Sequence, residues 1–141
     1  MKKLQFTIEI NAPKDKVWEA LWKDENYRTW TSVFQPGSYA ESDFRKGSEF
    51  RFLTPEKDGV WGEIVEMIPN EKMYFLHKGE VHKGENQPAT YGEDAVENYD
   101  LYEKDGKSVL TGTVYAPEEY VVYFANTFPK ALEAVKNIAE K

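Results

Sequence analysis

Three polar residues have side chains that could do chemistry: His77, Glu97 and Tyr99. Apolar and polar residues alternate around each of them, which predicts strands whose inward faces carry all three. A histidine titrates near neutral pH and could act as a general base. A buried carboxylate could serve as an acid or as a polar handle for a ligand. These three residues are therefore the candidate catalytic set of the chain.

Each candidate also has an ordinary structural interpretation. His77 is predicted at the end of its strand, where histidines are commonly hydrogen-bonded or on the surface. A shift of the strand register by one residue would turn Glu97 into solvent. His82 lies in a polar segment and is predicted to be a surface residue. Glu63 and Glu66 stand three residues apart on one predicted strand, so they face opposite sides and form no carboxylate pair.

The sequence predicts no metal site and no cofactor. It contains no cysteine, which excludes disulfides, thiolate metal ligands and cysteine nucleophiles together. His77 and His82 are not spaced as a metal-binding pair on any regular element. Glu118 and Glu119 fall in the first turn of a predicted helix, where the helix dipole favours negative charge, so we interpret them as structural.

Aromatic residues are unusually frequent, at 15% of the chain with four Trp, nine Tyr and eight Phe. Such a surplus predicts either an aromatic core or rings that line a cavity. The inward strand positions and the helices supply the predicted ligand pocket, which comprises Trp30, Phe50, Phe52, Met73, Phe75, Tyr99, Leu101, Leu110, Val114, Phe124 and Phe128. The alternative is a solid core without a usable void, because protein interiors normally pack to a density of about 0.75.

The net charge of −7 makes nucleic acid an unexpected partner, because an acidic surface repels phosphate. The absence of a basic run argues against an anionic membrane surface. The first ten residues alternate instead of forming the continuous apolar core of a signal peptide. We therefore expect a soluble cytoplasmic protein that is a monomer or a weak homodimer.

Periodicity predicts the elements that must position these residues. Alternation predicts seven strands, over residues 4–10, 37–41, 49–52, 60–68, 73–77, 97–102 and 109–115. Two short helices are expected after the first strand, one with Pro13 in its first turn and one over 25–30 capped by Asp24. Apolar residues at three- and four-residue steps after Pro117 predict a long C-terminal helix. Pro129 interrupts that pattern, so we expect a kink or a helix–helix junction near 126–128.

The connections predict an antiparallel sheet. Residues 55–59 and 104–107 each contain Asp-Gly and predict hairpins. Residues 79–94 are polar and aperiodic, which is typical of a lid, a functional loop or a disordered segment. A sheet that curls needs something on its concave side, and the C-terminal helix is the only candidate large enough. The predicted fold is α+β: a single domain over 1–141, with a curved antiparallel sheet of about six to seven strands wrapped around the long helix.

The chain resembles the START-like, or Bet v 1-like (SRPBCC), superfamily of helix-grip proteins. Within it the resemblance is to bacterial single-domain proteins related to the C-terminal domain of Aha1, the activator of Hsp90 ATPase. The segments that carry it are APKDKVW at 12–18, YRTW at 27–30, FRKGSEF at 44–50, GEIVEMIP at 62–69, DGKSVLT at 105–111 and FPKAL at 128–132. The resemblance implies a pocket between the sheet and the long helix that takes lipids, sterols, polyketides or other apolar and aromatic ligands. It carries over no catalytic residue, since the group has no shared catalytic motif.

Three functions follow as hypotheses. The first is a non-catalytic carrier or sensor that binds an apolar or aromatic small molecule. The second is an enzyme of the polyketide cyclase or dehydratase type, which would need at least two convergent polar groups in the pocket. The third is a co-chaperone-like regulator of Hsp90, for which we expect an additional N-terminal domain that this sequence does not show.

Overall fold

The computed structural model describes residues 1–141 and has an α+β architecture of eight strands and three α-helices. In chain order the elements are β1 (Lys2–Ile10), α1 (Lys14–Trp22), α2 (Asp24–Thr31), β2 (Tyr39–Ser42), β3 (Glu49–Leu53), β4 (Gly59–Ile68), β5 (Lys72–His82), β6 (Glu85–Asn86), β7 (Val96–Lys104), β8 (Lys107–Ala116) and α3 (Val121–Ala139). A short 3-10 turn, Glu118–Tyr120, precedes α3. No helix is both long and apolar enough to cross a membrane.

The strands form one open antiparallel sheet in the order β1-β8-β7-β5-β4-β3-β2, with β6 paired to the far end of β5. The first and last strands of the chain are neighbours, so β8, which leads into α3, is the second strand from the β1 edge of the sheet. The fold prediction is therefore confirmed: an antiparallel sheet with two short helices after its first strand and a long C-terminal helix.

One hydrophobic core lies between the sheet and the helices. Helix α3 contributes Phe128, Leu132 and Val135, all buried, at the three- and four-residue steps that the sequence shows. Phe128 stacks on Phe6 of β1 with ring centroids 5.1 Å apart. Gly112 of β8 allows this approach, since a Cβ atom there would lie 2.7 Å from the Phe128 ring.

Helix α3 is one continuous helix from Val121 to Ala139, with Pro129 inside it. The predicted helix–helix junction near 126–128 is therefore wrong. Pro129 and Ala125 are both exposed, so water can reach the Ala125 carbonyl that Pro129 leaves without a backbone partner. The loss of one hydrogen bond on a solvated face does not end the helix, because the buried face continues to pack.

Strand β5 extends to His82, five residues beyond its predicted end at 77. A tight turn at Lys83 and Gly84, with φ of 50° and 84°, then leads into β6. Positive φ at both central residues is the geometry of the hairpin turns that match strand twist. The first half of the segment 79–94 is therefore strand and hairpin, and only residues 87–95 form a loop.

The helix starts differ from the predictions by one residue each. Pro13 is the N-cap of α1 instead of lying in its first turn, and Lys23 instead of Asp24 precedes α2. Neither cap makes a side-chain hydrogen bond. These short helices are held by burial instead, through Val17 and Leu21 of α1 and Trp30 of α2, all at most 1% exposed.

Candidate functional site

A cavity of about 770 Å³ lies between the sheet and the helices α2 and α3. The strands β2, β3, β4, β5, β7 and β8 supply one side. The helices α2 and α3, the loop 87–95 and residues next to these elements supply the rest. The exposed side chains of Tyr91, Tyr120 and Tyr123 form its rim. Its volume falls within the roughly 300–1,000 Å³ that small-molecule sites occupy.

The wall of the cavity is mainly hydrophobic, and eleven of its residues are aromatic. Its aromatic residues are Tyr27, Trp30, Phe34, Tyr39, Phe52, Tyr91, Tyr115, Tyr120, Tyr123, Phe124 and Phe128. These rings pack against one another in edge-to-face and tilted pairs, for example Tyr27 on Trp30 at 5.4 Å and on Phe52 at 5.7 Å between centroids. Pairs of this geometry contribute about 0.5–1.5 kcal/mol each beyond the burial of their area.

The structure divides the predicted pocket residues into two groups. Trp30, Phe52, Val114, Phe124 and Phe128 line the cavity. The other six lie in the packed core behind the wall, at most 5% exposed, and these are Phe50, Met73, Phe75, Tyr99, Leu101 and Leu110. All eleven side chains face the interior. They fall into two groups because the helices pack against only part of the inward face of the sheet.

The candidate polar residues meet at the Glu97 carboxylate. The carboxylate oxygen Oε1 of Glu97 lies 3.0 Å from Nε2 of His77, and Tyr99 donates its hydroxyl proton to the other oxygen of the same carboxylate. His77 and Glu97 line the cavity with side chains about one-fifth exposed, at 19% and 20%. Strands β5 and β7 are paired with Phe75 opposite Glu97, which makes His77 its diagonal neighbour on the inward face.

His77 lies inside β5 and not at the end of a strand, because β5 continues to His82. Its imidazole packs edge-on against the rings of Phe50 and Phe52, at 5.3 and 5.9 Å between centroids. Aromatic packing on one side and the Glu97 carboxylate on the other orient the imidazole. An oriented imidazole beside a carboxylate can bind a polar ligand group or transfer a proton.

Two tyrosine hydroxyls surround the Glu97 carboxylate. Burial raises the pKa of Tyr99 well above its ordinary value, and the nearby charge and hydrogen bond of Glu97 raise it further. Burial and then the charge of Glu97 raise the pKa of Tyr27 in the same direction. Tyr99 therefore remains a neutral donor to Glu97, and Tyr27 presents a neutral hydroxyl at the cavity.

The remaining titratable candidates lie outside this cluster. His82 is exposed and contacts Glu80 on the rim, with Nε2 and Oε1 3.1 Å apart. Glu63 pairs with Lys78 at 3.0 Å on the surface and does not line the cavity. No group of three or more histidine, aspartate or glutamate side chains is placed to hold a metal ion.

Several lining residues were not predicted from the sequence. Tyr27 stands three residues before Trp30 on α2, and Tyr120 stands four residues before Phe124, so helical spacing could have identified both. Tyr91 lies in the aperiodic loop 87–95, where no pattern indicates its orientation. Its position depends on backbone contacts with β5, including the hydrogen bond from Tyr91 N to the Lys78 carbonyl at 3.0 Å.

An open antiparallel sheet that closes an aromatic cavity with a C-terminal helix is the helix-grip architecture of the START-like, or Bet v 1-like, superfamily. The family model described as "Activator of Hsp90 ATPase homolog 1-like protein" matches residues 11–134. The chain belongs to this family, which confirms the resemblance inferred from the sequence. A comparison with curated proteins finds no match.

Solved structures share this fold at low sequence identity. DynU16, described as a putative protein in the dynemicin biosynthetic locus, has a TM-score of 0.75 and 14% identity, covering 100% of this chain and 48% of that one. The chain thus spans about half the length of DynU16. The Aha1 dimer from Colwellia psychrerythraea has a TM-score of 0.74 and 17% identity, covering 99% and 97%. CalU16 from Micromonospora echinospora has a TM-score of 0.69 and 19% identity, covering 97% and 75%.

Proposed function

We propose that this protein binds an apolar or aromatic small molecule in the cavity between the sheet and α3, as a non-catalytic carrier or sensor. The observation that carries the proposal is the aromatic cavity of about 770 Å³ itself. A void of this size would be filled by side chains in an ordinary core, because interiors pack densely. Leaving aromatic surface around open space is favourable when a ligand covers that surface.

The loop 87–95 is arranged as a cover for this site. Trp61 of β4 donates its indole hydrogen to the Gln87 carbonyl at 2.8 Å, which anchors the first residue of the loop. Tyr91, Gly92, Asp94 and Ala95 of the same loop line the cavity. A ligand can thus be enclosed by a segment that is anchored at its base and exposed along its length.

Binding of a neutral fluorescent probe tests the proposal. N-phenylnaphthylamine gains fluorescence in apolar sites, so titration with the protein should show saturable binding. Replacing Val114 by Phe fills the cavity from β8, since Val114 lines it and is 6% exposed. We expect this variant to bind the probe at least ~10-fold more weakly, about 1.4 kcal/mol, because the added ring occupies volume that the probe needs.

Val65→Phe is the matched control, because Val65 is 38% exposed and lies outside the cavity. It should bind the probe like the parent protein. Circular dichroism of both variants shows whether they keep the fold. No saturable binding by the parent, or equal binding by the Val114→Phe variant, would contradict the proposal. Native mass spectrometry of protein purified without added ligand gives an independent check, since a retained ligand adds mass.

A catalytic function is the second candidate, and the convergence of His77, Glu97 and Tyr99 favours it. A histidine oriented by a carboxylate can transfer protons in a cyclisation or dehydration. The two functions differ in the fate of the ligand. A carrier returns a bound molecule unchanged after prolonged incubation, whereas an enzyme converts it and loses that conversion in His77→Gln. Mass spectrometry of the recovered ligand distinguishes them.

An action on Hsp90 is supported by the family's description alone. Under that role the protein would bind Hsp90 and change its ATPase rate. We expect neither effect, and a reproducible change in the rate would favour this third function.

For the assembly state we propose a monomer or a weak homodimer; a protein of similar fold is described as a dimer.

A further inference from the structure

The carboxylates of three acidic side chains give the cavity wall its negative charge. Glu80, Asp94 and Glu97 line the cavity together with His77, and no lysine or arginine side chain does. The chain as a whole carries a net charge of −7, which adds to the negative potential at long range. A wall of this kind disfavours carboxylate, sulfate and phosphate groups and favours cations.

The Glu97 carboxylate is the most buried of the three acids, and its oxygens can still accept further hydrogen bonds. His77 occupies one oxygen and Tyr99 the other, but each carboxylate oxygen can accept more than one hydrogen bond. One-fifth of the side chain is exposed, and that part faces the cavity. A donor on a ligand therefore has an acceptor within a largely desolvated site, where charge-assisted hydrogen bonds are strong.

Aromatic faces surround this acceptor. Phe52 packs on His77, the partner of Glu97, and Tyr27 packs on both Phe52 and Trp30. Tyr27 is only 6% exposed, lines the cavity and makes no side-chain hydrogen bond within the protein. Its hydroxyl is not one of the buried polar atoms that lack a partner, so it is open to the cavity and free to bond a polar group of a ligand. Aromatic faces next to a carboxylate form the environment that ammonium groups bind.

We infer that the ligand is a lipophilic cation: an apolar or aromatic molecule with an ammonium group that contacts Glu97 between the rings of Tyr27, Trp30 and Phe52. This inference rests on the proposed binding function and specifies its ligand class. The apolar body of the ligand occupies the rest of the aromatic wall. At the rim, Glu80 and Asp94 attract the cation on entry, although Glu80 is shared with the exposed His82.

Three probes with one aromatic body and different charges test this inference. They are naphthylmethylammonium, naphthylmethanol and naphthoate, each titrated into the full chain by calorimetry. We expect the cation to bind at least ~10-fold more tightly than the alcohol, because cation–π contacts and an ion pair both add to burial of the ring. The anion should bind more weakly than the alcohol.

Glu97→Gln is the decisive variant, because the amide keeps a similar shape and can still accept the Tyr99 proton. We expect it to reduce the preference for the cation to about 2-fold or less while the alcohol binds as before, since only the charge is removed. Glu63→Gln is the matched control: it removes one carboxylate from neighbouring β4, outside the cavity. It should retain the preference.

The outcomes separate the two proposals. Equal binding of the cation and the alcohol, or a preference that survives Glu97→Gln, overturns the inference and leaves the binding function standing. Failure of all three probes and of N-phenylnaphthylamine overturns the binding function and the inference with it. If Glu97→Gln unfolds by circular dichroism, the parent's ranking of the three probes decides: a tighter cation supports the inference, and any other order overturns it.

Discussion

Tyr27, Tyr74 and Tyr99 are among the tyrosines that hold their phenolic protons more tightly than tyrosine in water does. Burial is the main cause for Tyr27 and Tyr99 at the cavity, with the charge of Glu97 second. Burial also raises the pKa of Tyr74 to about 12, helped by Asp100, which accepts its hydroxyl hydrogen bond at 2.5 Å. For each of the three tyrosines, the surrounding residues determine the pH at which its hydroxyl loses a proton.

These shifts predict a loss of stability in alkaline solution. Tyrosine titrates near pH 10 in the unfolded chain, whereas the folded protein keeps these three protons to higher pH. Above pH 10 the unfolded state therefore binds fewer protons, so the free energy of unfolding falls as pH rises. The contribution is fully present below about pH 10 and, for Tyr74, is lost towards pH 12. Urea unfolding at a series of pH values measures the decline.

Tyr74→Phe isolates one of the three groups. The substitution removes a phenol whose pKa is raised in the folded protein. The free energy of unfolding of the variant should therefore depend less on pH between 10 and 12 than that of the parent. Tyr102→Phe is the control, because Tyr102 is 58% exposed and its hydroxyl makes no hydrogen bond. An equal decline in the parent and in Tyr74→Phe would show that Tyr74 does not contribute.

At the scale of elements, α3 shows that a helix can continue through a proline when its other face is buried. Phe128, Leu132 and Val135 continue the packing on both sides of Pro129. In a helix interior a proline costs about 3 kcal/mol when nothing compensates. Here the ring is exposed and the Ala125 carbonyl lies on a solvated face, so part of that cost is avoided.

Pro129→Ala should therefore stabilise the protein by about 1 kcal/mol, because it restores one backbone hydrogen bond and removes the ring from the helix. Urea unfolding measures the difference. Lys130→Ala, one residue further on the same exposed face, should change stability by less than about 0.5 kcal/mol. A destabilised Pro129→Ala would mean that the proline shapes α3 in a way the core requires.

At the scale of the whole molecule, the distance between the sheet and α3 determines whether there is a cavity. At Gly112 of β8 the missing Cβ lets the Phe128 ring of α3 lie directly against the sheet. Further towards the N-terminus of α3, the helix and sheet are lined by Tyr123, Phe124 and Tyr115 around open space. The same helix thus seals the core at one end and forms a cavity wall at the other.

Gly112→Ala should destabilise the protein by about 1–3 kcal/mol, because a Cβ placed 2.7 Å from the Phe128 ring forces sheet and helix apart. A double-mutant cycle with Phe128→Leu checks the cause. If the contact is responsible, the smaller side chain offsets part of the loss and the two effects are not additive. If the two effects are strictly additive, the contact between Gly112 and Phe128 is not the cause of the destabilisation.

Much of this fold could be predicted from local patterns. Alternation identified seven of the eight strands, and helical spacing identified the buried face of α3 through Phe128, Leu132 and Val135. Such patterns work because a buried face imposes a period of two on a strand and about 3.6 on a helix. The end of β5 was missed because its buried face there consists only of Gly79 and Val81, and a glycine leaves a weak apolar alternation.

The sequence by itself determined which residues face inward and which elements carry them. Only the tertiary structure decided that Phe52 and Val114 line a cavity while Phe50 and Leu110 lie in the packed core. Inward orientation depends on the local backbone, whereas cavity exposure depends on how closely a distant helix approaches. The meeting of His77 with Glu97 likewise required the pairing of β5 with β7, which joins residues twenty positions apart.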